Sequence, residues 1–161
     1  MTRIWLAIVS LIILIAIGIG VWFYVTLPAV PVKDEIASWQ FTGPYKDGGV
    51  FEGVAKAEIT ELEKQLGKSD DVDAELYIAI ASQYELLGEG KAAYNALNKA
   101  IKSNPTNGLA YANLARLMET LGAYETARMA YDKAVEVNPG EPEYQKARAE
   151  FIARRFPTRA P

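Results

Sequence analysis

The chain has 161 residues, enough for one modest domain, and it contains no cysteine and no histidine. These absences exclude disulfides, thiolate and imidazole metal ligands, and the commonest general base. A net charge of -3 gives the chain no general attraction for nucleic acid.

The N-terminal residues 1–26 are predicted to form a transmembrane anchor. Residues 4–25 carry no charge and no proline, and as a helix they would measure about 33 Å, against a hydrocarbon core of about 30 Å. Trp5 and Trp22 lie near the two ends, where aromatic rings favour the headgroup region. A cleaved signal peptide is the alternative, but its apolar region is usually shorter and ends in small residues.

The charges around this segment bear on its orientation. Only Met1 to Arg3 precede it, and the first basic residue after it is Lys33. The positive-inside bias is therefore slight, but a very short basic tail favours a cytoplasmic N-terminus. We expect a single-pass membrane protein whose domain lies outside the cytoplasm, on the periplasmic side in a bacterium.

Residues 27–51 are predicted to form a connector rich in proline, glycine and aromatic residues. Pro28 and Pro31 favour extended backbone, and "GPYKDGG" has the composition of a turn. A flexible linker would normally contain fewer aromatic rings than this segment does. We therefore expect the rings, Trp39 among them, to dock on the first helix of the following domain. A partner protein or the headgroup layer is the alternative docking site.

The rest of the chain has helical periodicity and a repeat of 34 residues. Residues 74–107 align with residues 108–141 without a gap, and the aligned positions share residue type: Tyr77 with Tyr111, Ala81 with Ala115, Gly88 with Gly122, Ala93 with Ala127, Ala100 with Ala134, and Pro105 with Pro139. Each glycine falls where a first helix would end in a tight turn. Each Asn-Pro pair ends a second helix, because the residue before proline is disfavoured in helical conformation.

This pattern resembles the tetratricopeptide repeat (TPR) family, whose 34-residue period and order of small, large, Gly, Ala and Pro positions it follows. The resemblance covers residues 74–141 and implies an all-α fold. We expect a helical domain over residues 52–156, a short α-solenoid with hairpins at 74–107 and 108–141 and flanking capping helices. The transmembrane helix precedes this domain, and a tail at residues 157–161 follows it.

Two flanking helices are predicted to complete the core, because stacked hairpins usually need about three units. The first spans about 52–67, and its inward positions are Val54, Ile59, Leu62 and Leu66. The second spans 142–156, and its inward positions are Tyr144, Ala147, Phe151 and Ile152.

No catalytic residues, cofactor or metal ligands are expected. The sequence has no glycine-rich phosphate loop and no serine with a plausible base. Asp70, Asp71 and Asp73 lack the glycine and terminal glutamate of a calcium loop. We interpret these aspartates as caps of the next helix. The chain is therefore expected to be a binding protein and not an enzyme.

The resemblance implies that the first helices line a concave groove that holds peptides or partner helices. The matching positions are Glu75, Ile78, Ser82, Glu85, Leu109, Ala112, Asn113, Arg116 and Glu119. Family members that grip chaperone C-termini use lysine and asparagine on this face, and this sequence lacks that clamp. Arg116 is the candidate anchor for a partner's carboxylate or carbonyl. The alternative is an ion pair of Arg116 with Glu119 or Glu85.

The function expected from these features is a membrane-anchored protein–protein interaction scaffold or accessory subunit of an integral membrane complex. Its partners would be proteins of that complex, with no nucleic acid. The alternative is a membrane-tethered assembly factor or holdase, as related repeat proteins are in translocation and cytochrome maturation. A permanent stoichiometric complex would favour the first function, and transient capture of clients the second.

Overall fold

The structure, a computed structural model, describes residues 15, 28–46 and 48–157. Between residues 28 and 157 it contains six helices: α1 Val50–Glu63, α2 Asp70–Leu86, α3 Gly90–Ser103, α4 Gly108–Thr120, α5 Tyr124–Val137 and α6 Pro142–Arg155. The predicted anchor, residues 1–26, lies outside the described residues except for residue 15 and stays a prediction. Over the described ranges, no helix has both the length and the apolar character needed to cross a bilayer.

Two helical hairpins, α2–α3 and α4–α5, form the centre of the fold. Helices α2 and α4 end 34 residues apart, at Leu86 and Thr120, and α3 and α5 begin 34 residues apart, at Gly90 and Tyr124. The predicted all-α repeat is therefore confirmed. Four alanines at the helix crossings are completely buried, and their small side chains let the paired helices approach closely: Ala81, Ala93, Ala115 and Ala127.

Each hairpin turn contains the predicted glycine in left-handed conformation. Gly88 has φ 70° and Gly122 has φ 77°. Around Gly88, the Glu89 N–H donates to the Tyr84 carbonyl over 2.8 Å, and the Gly88 N–H donates to the Glu85 carbonyl over 2.9 Å. These two bonds satisfy carbonyls at the end of α2, in the pattern of a Schellman cap. The turn around Gly122 has the same pair of bonds.

The asparagine of each Asn-Pro pair ties the end of a second helix to the start of the first helix in the same hairpin. Asn104 follows α3, and its side-chain amide donates to Asp71 Oδ1 over 2.9 Å. Asn138 follows α5, and its Oδ1 accepts from the Gly108 N–H over 2.9 Å. The pair therefore ends the helix as predicted, and it also closes the hairpin.

The interpretation of the aspartates near residue 70 as helix caps was wrong. Helix α2 begins at Asp70, and the cap is Ser69, whose Oγ accepts from the Val72 N–H over 3.4 Å. Asp70, Asp71 and Asp73 all lie in the first turn, where negative charge is favoured by the helix dipole.

Helix α1 packs against α2, but the prediction that Val54 faces inward was wrong. Val54 is 56% exposed, whereas Ala55 and Ile59 are buried. Leu62 and Leu66 also pack against the core. The inward face of α1 therefore runs through positions 55, 59 and 62, which have the three- and four-residue spacing of one helix face, and Leu66 packs against the core just after the helix ends.

Helix α6 covers the other end of the core. Phe151 is completely buried, and its ring lies 5.0 Å from the ring of Tyr131 in α5. Tyr144, Ala147 and Ile152 pack against the same cluster. The inward face predicted for this helix is confirmed.

The connector docks on the helices, but largely on α3 and the α2–α3 turn, and not on the first helix as predicted. The Trp39 ring lies 5.3 Å from the Tyr94 ring, and the Trp39 carbonyl accepts from the Gly90 N–H over 2.9 Å. Tyr45 follows the prediction, since it stacks on Phe51 of α1 at 5.3 Å. The exposed N–H groups at the start of α3 need acceptors, and the connector backbone supplies one.

The connector also caps α5. Asp34 Oδ1 accepts from the Glu125 N–H over 3.1 Å, and its Oδ2 accepts from the Thr126 N–H over 2.8 Å and from the Thr126 hydroxyl over 2.6 Å. Ala123, the residue at the N-cap position, provides no side-chain bond. Residues 28–46 are therefore an integral part of the helical domain.

Candidate protein-binding groove

The candidate site is the surface formed by the first helices α2 and α4 together with α6, which we call the groove face. Helices α2 and α4 contact each other directly. Helix α6 begins 34 residues after α4, at Pro142 against Gly108, and so continues the row as a further first helix would. The groove face therefore extends over three helices.

The structure divides the nine predicted groove residues by exposure. Glu75, Leu109 and Arg116 are exposed. Four others are half-buried: Ser82, Glu85, Ala112 and Glu119. Ile78 and Asn113 are buried, with 7% and 9% of their surface exposed.

Ile78 therefore belongs to the core and does not form an apolar floor of the groove. It lies four residues after Ala74 and three before Ala81, so it shares the face of α2 on which both alanines are completely buried. Leu109, at 41% exposure, is a large apolar side chain that the groove face does present to a partner.

Arg116 forms an ion pair with Glu85 across α4 and α2. Its guanidinium Nη2 lies 3.4 Å from Glu85 Oε2, and 58% of the arginine side chain stays exposed. Of the two intramolecular pairings expected for Arg116, the structure contains the one with Glu85. Only 20% of the Glu85 side chain is exposed, so turning Arg116 towards a partner leaves a half-buried carboxylate without its cation and costs more than breaking a surface pair, which is worth about 0–1 kcal/mol.

Glu119 pairs instead with two arginines of α6. Arg154 and Arg155 lie 3.3 Å and 3.2 Å from its carboxylate oxygens. Neither arginine is among the nine residues predicted to line the groove. The repeat register could have indicated this pairing. Glu119 follows Glu85 by one repeat, and α6 takes the place of the next first helix, so Glu119 faces α6 as Glu85 faces α4.

The surroundings of Glu85 perturb its carboxyl group. Burial raises its pKa above the usual 4.5, and the nearby Arg116 guanidinium only partly offsets this. Its Oε1 is buried and, within the described part of the chain, has no hydrogen-bond partner. The net charge of this face is therefore sensitive to what binds beside Glu85.

The described residues contain no group of three carboxylates arranged as metal ligands. On the groove face Leu109 is exposed near the start of α4, and two interhelical ion-pair clusters lie further along the same helix, at Arg116 and Glu119. Apolar and charged groups on one surface are the usual composition of a protein-binding patch.

Comparison with known proteins agrees with this description. The family model for the tetratricopeptide repeat matches residues 86–151, from the end of α2 into α6. The chain is also similar to a crystal structure of MamA, with 26% identity and a TM-score of 0.54. The similarity covers 62% of this chain and 58% of the MamA chain, so the chain spans less than two thirds of that protein. No curated protein matches the sequence.

The fold and the groove face define the class of protein, a helical-repeat scaffold for protein–protein interaction. This fold generally serves binding and not catalysis. The paired hairpins, their 34-residue spacing and the match over residues 86–151 support a tetratricopeptide repeat protein, and they show this fold for that part of the chain.

Proposed function

We propose that the protein is a membrane-anchored scaffold or accessory subunit of an integral membrane complex, which binds partner proteins through the groove face and through its N-terminal helix. The observation that carries the proposal is the groove face itself. Leu109 and Arg116 are both exposed there, on the same helix, and residues 4–25 have the length and apolar character of a transmembrane helix.

The charges on the groove face favour a partner segment with mixed polarity. Arg116 can donate to a carboxylate or carbonyl of a partner, because a single contact at 3.4 Å holds it to Glu85. Leu109 can bury its exposed surface in the same contact. Arginine and aromatic side chains at the centre of an interface commonly provide most of the binding energy, which makes Arg116 the stronger candidate of the two.

The test is affinity purification of the full-length tagged protein in mild detergent, followed by quantitative mass spectrometry. The groove variant carries Leu109→Ser and Arg116→Gln. The control carries Met129→Ser and Arg128→Gln on α5, where Met129 is 38% exposed and Arg128 pairs with Glu125 in solvent. We expect the groove variant to lose its stoichiometric partners and the control to retain them.

The same experiment distinguishes the alternative function. If no partner remains at fixed stoichiometry and varied proteins are recovered only after crosslinking, the protein is a tethered assembly factor or holdase. If the groove variant retains every partner at the level of the control, the groove face is not the interface.

A further inference from the structure

The outer surface of α3 is the part of the domain held next to the predicted anchor. Val30 is buried against this helix, where its N–H donates to Asn98 Oδ1 over 2.9 Å and its carbonyl accepts from the Tyr94 hydroxyl over 2.7 Å. The three residue steps from Val25, the end of the apolar segment, to Pro28 span at most about 11 Å. If residues 4–25 span a bilayer, this surface therefore lies near the headgroup layer.

This surface is basic, although the chain as a whole carries a net charge of -3. It contains a depression of about 700 Å³. The lining includes three lysines from one side of α3 and no carboxylate among the described residues: Lys91, Lys99 and Lys102. We call these lysines, together with the adjoining Trp39, the lysine face.

Trp39 gives the lysine face a second property of headgroup-binding surfaces. Its ring is half-buried at the edge of the depression, and the Lys91 ammonium lies 4.2 Å from the ring centroid. Tryptophan favours the polar–apolar boundary of a bilayer, and lysine binds phosphate as a compact charge.

We propose that the lysine face binds the anionic phospholipid headgroups of the same bilayer that holds the anchor. The proposal rests on the membrane anchoring proposed above. The lysines can lie within electrostatic range of the headgroups. The screening length at physiological salt is about 8 Å, and the chain that joins the domain to the anchor has a similar length. Each lysine near an anionic surface raises the docking equilibrium about fivefold, so Lys91 and Lys99 alone contribute about twentyfold.

The test uses the full-length protein with Trp5→Phe and Trp22→Phe, which leaves Trp39 as the single tryptophan. The protein is reconstituted in vesicles of phosphatidylcholine alone or mixed with phosphatidylglycerol, each containing a lipid with a nitroxide on its headgroup. Quenching of Trp39 fluorescence measures docking of the lysine face. Resistance to carbonate extraction separately measures insertion of the anchor.

Three variants complete the test in the same single-tryptophan protein. The first has Gln at Lys91, Lys99 and Lys102, and the second has Arg at these positions. The third changes three lysines of other surfaces to Gln, with the same change in net charge: Lys56, Lys64 and Lys133. Circular dichroism verifies that all three variants remain folded.

The expected result is stronger quenching in the anionic vesicles, lost in the Gln variant of the lysine face and retained in the Arg variant and the control. Equal quenching in the two lipid compositions, or unchanged quenching in the Gln variant, overturns the proposal. The proposal is also overturned if the Gln variant of the lysine face loses a co-purifying acidic protein while the quenching of Trp39 stays the same. Release of the protein by carbonate would contradict the proposed anchor, and without the anchor the lysine face would have no bilayer beside it. Resistance to carbonate, with Trp39 quenching that does not depend on the lipid composition, would contradict the role of the lysine face alone.

Discussion

The glycines of the two hairpin turns have the same backbone conformation but different surroundings. Gly88 and Gly122 both have positive φ. A Cβ added at Gly122 would meet nothing within 4 Å, whereas one at Gly88 would lie 2.1 Å from the Phe41 carbonyl oxygen. The difference arises because the connector crosses the first turn at this point.

We predict that Gly122→Ala lowers the free energy of unfolding by about 1–2 kcal/mol, the cost of a left-handed backbone for a residue with a Cβ. Gly88→Ala should cost clearly more, because it adds a clash with the connector backbone to the same strain. Chemical denaturation of both variants measures the two losses. Equal losses would mean that the connector does not contact the first turn.

Most of the helix ends could be predicted because their signals are local. Gly122 and the Asn138-Pro139 pair lie within a residue or two of the boundaries that they set. The groove was less predictable. The placing of Ile78 in the core and of Arg154 beside Glu119 depends on how neighbouring helices pack, and the residue types at these positions suit either environment.

The cap of α5 could not have been found from local sequence. Asp34 and Thr126 are 92 residues apart, and the segment around Asp34 is extended, with no periodicity to indicate which side faces the domain. Burial opposes ionisation of Asp34, but hydrogen bonds from Thr126 and Glu125 outweigh it, so the pKa of Asp34 lies below the usual 3.8.

We predict that Asp34→Ala destabilises the domain by about 1–2 kcal/mol at neutral pH, the usual cost of losing an N-cap. Because the folded pKa is lowered, the ionised cap stabilises the fold above about pH 4. Its contribution is lost as the pH falls through the lowered value, so the gap between parent and variant should narrow in acid. Denaturation curves at several pH values measure this gap.

Asp34→Asn is the matched control for the cap, because it keeps the acceptor oxygen and removes the charge. It should retain part of the neutral-pH stability that Asp34→Ala loses. A gap between the parent and Asp34→Ala that stays constant from neutral pH to acid would contradict the role of the ionised carboxylate.

For the whole molecule, the orientation in the membrane can be tested directly because the chain has no native cysteine. We predict that an impermeant maleimide added to intact cells labels Gly140→Cys but not Thr2→Cys. Gly140 is exposed, and a Cβ there meets nothing within 4 Å. The opposite labelling pattern would place the domain in the cytoplasm, and labelling after permeabilisation serves as the control for both thiols.

If residues 4–25 span a bilayer, the docked connector limits how far the domain can move away from it. A flexible tether as long as residues 27–51 would have a root-mean-square reach of about 27 Å. Since Val30 and Asp34 are fixed to α3 and α5, the part of the connector from Pro28 onward does not provide that reach. A partner in the same bilayer would then meet the groove face at a restricted distance from the membrane and in a restricted orientation. The domain loses this orientational freedom when it folds, so less entropy is lost when the partner binds.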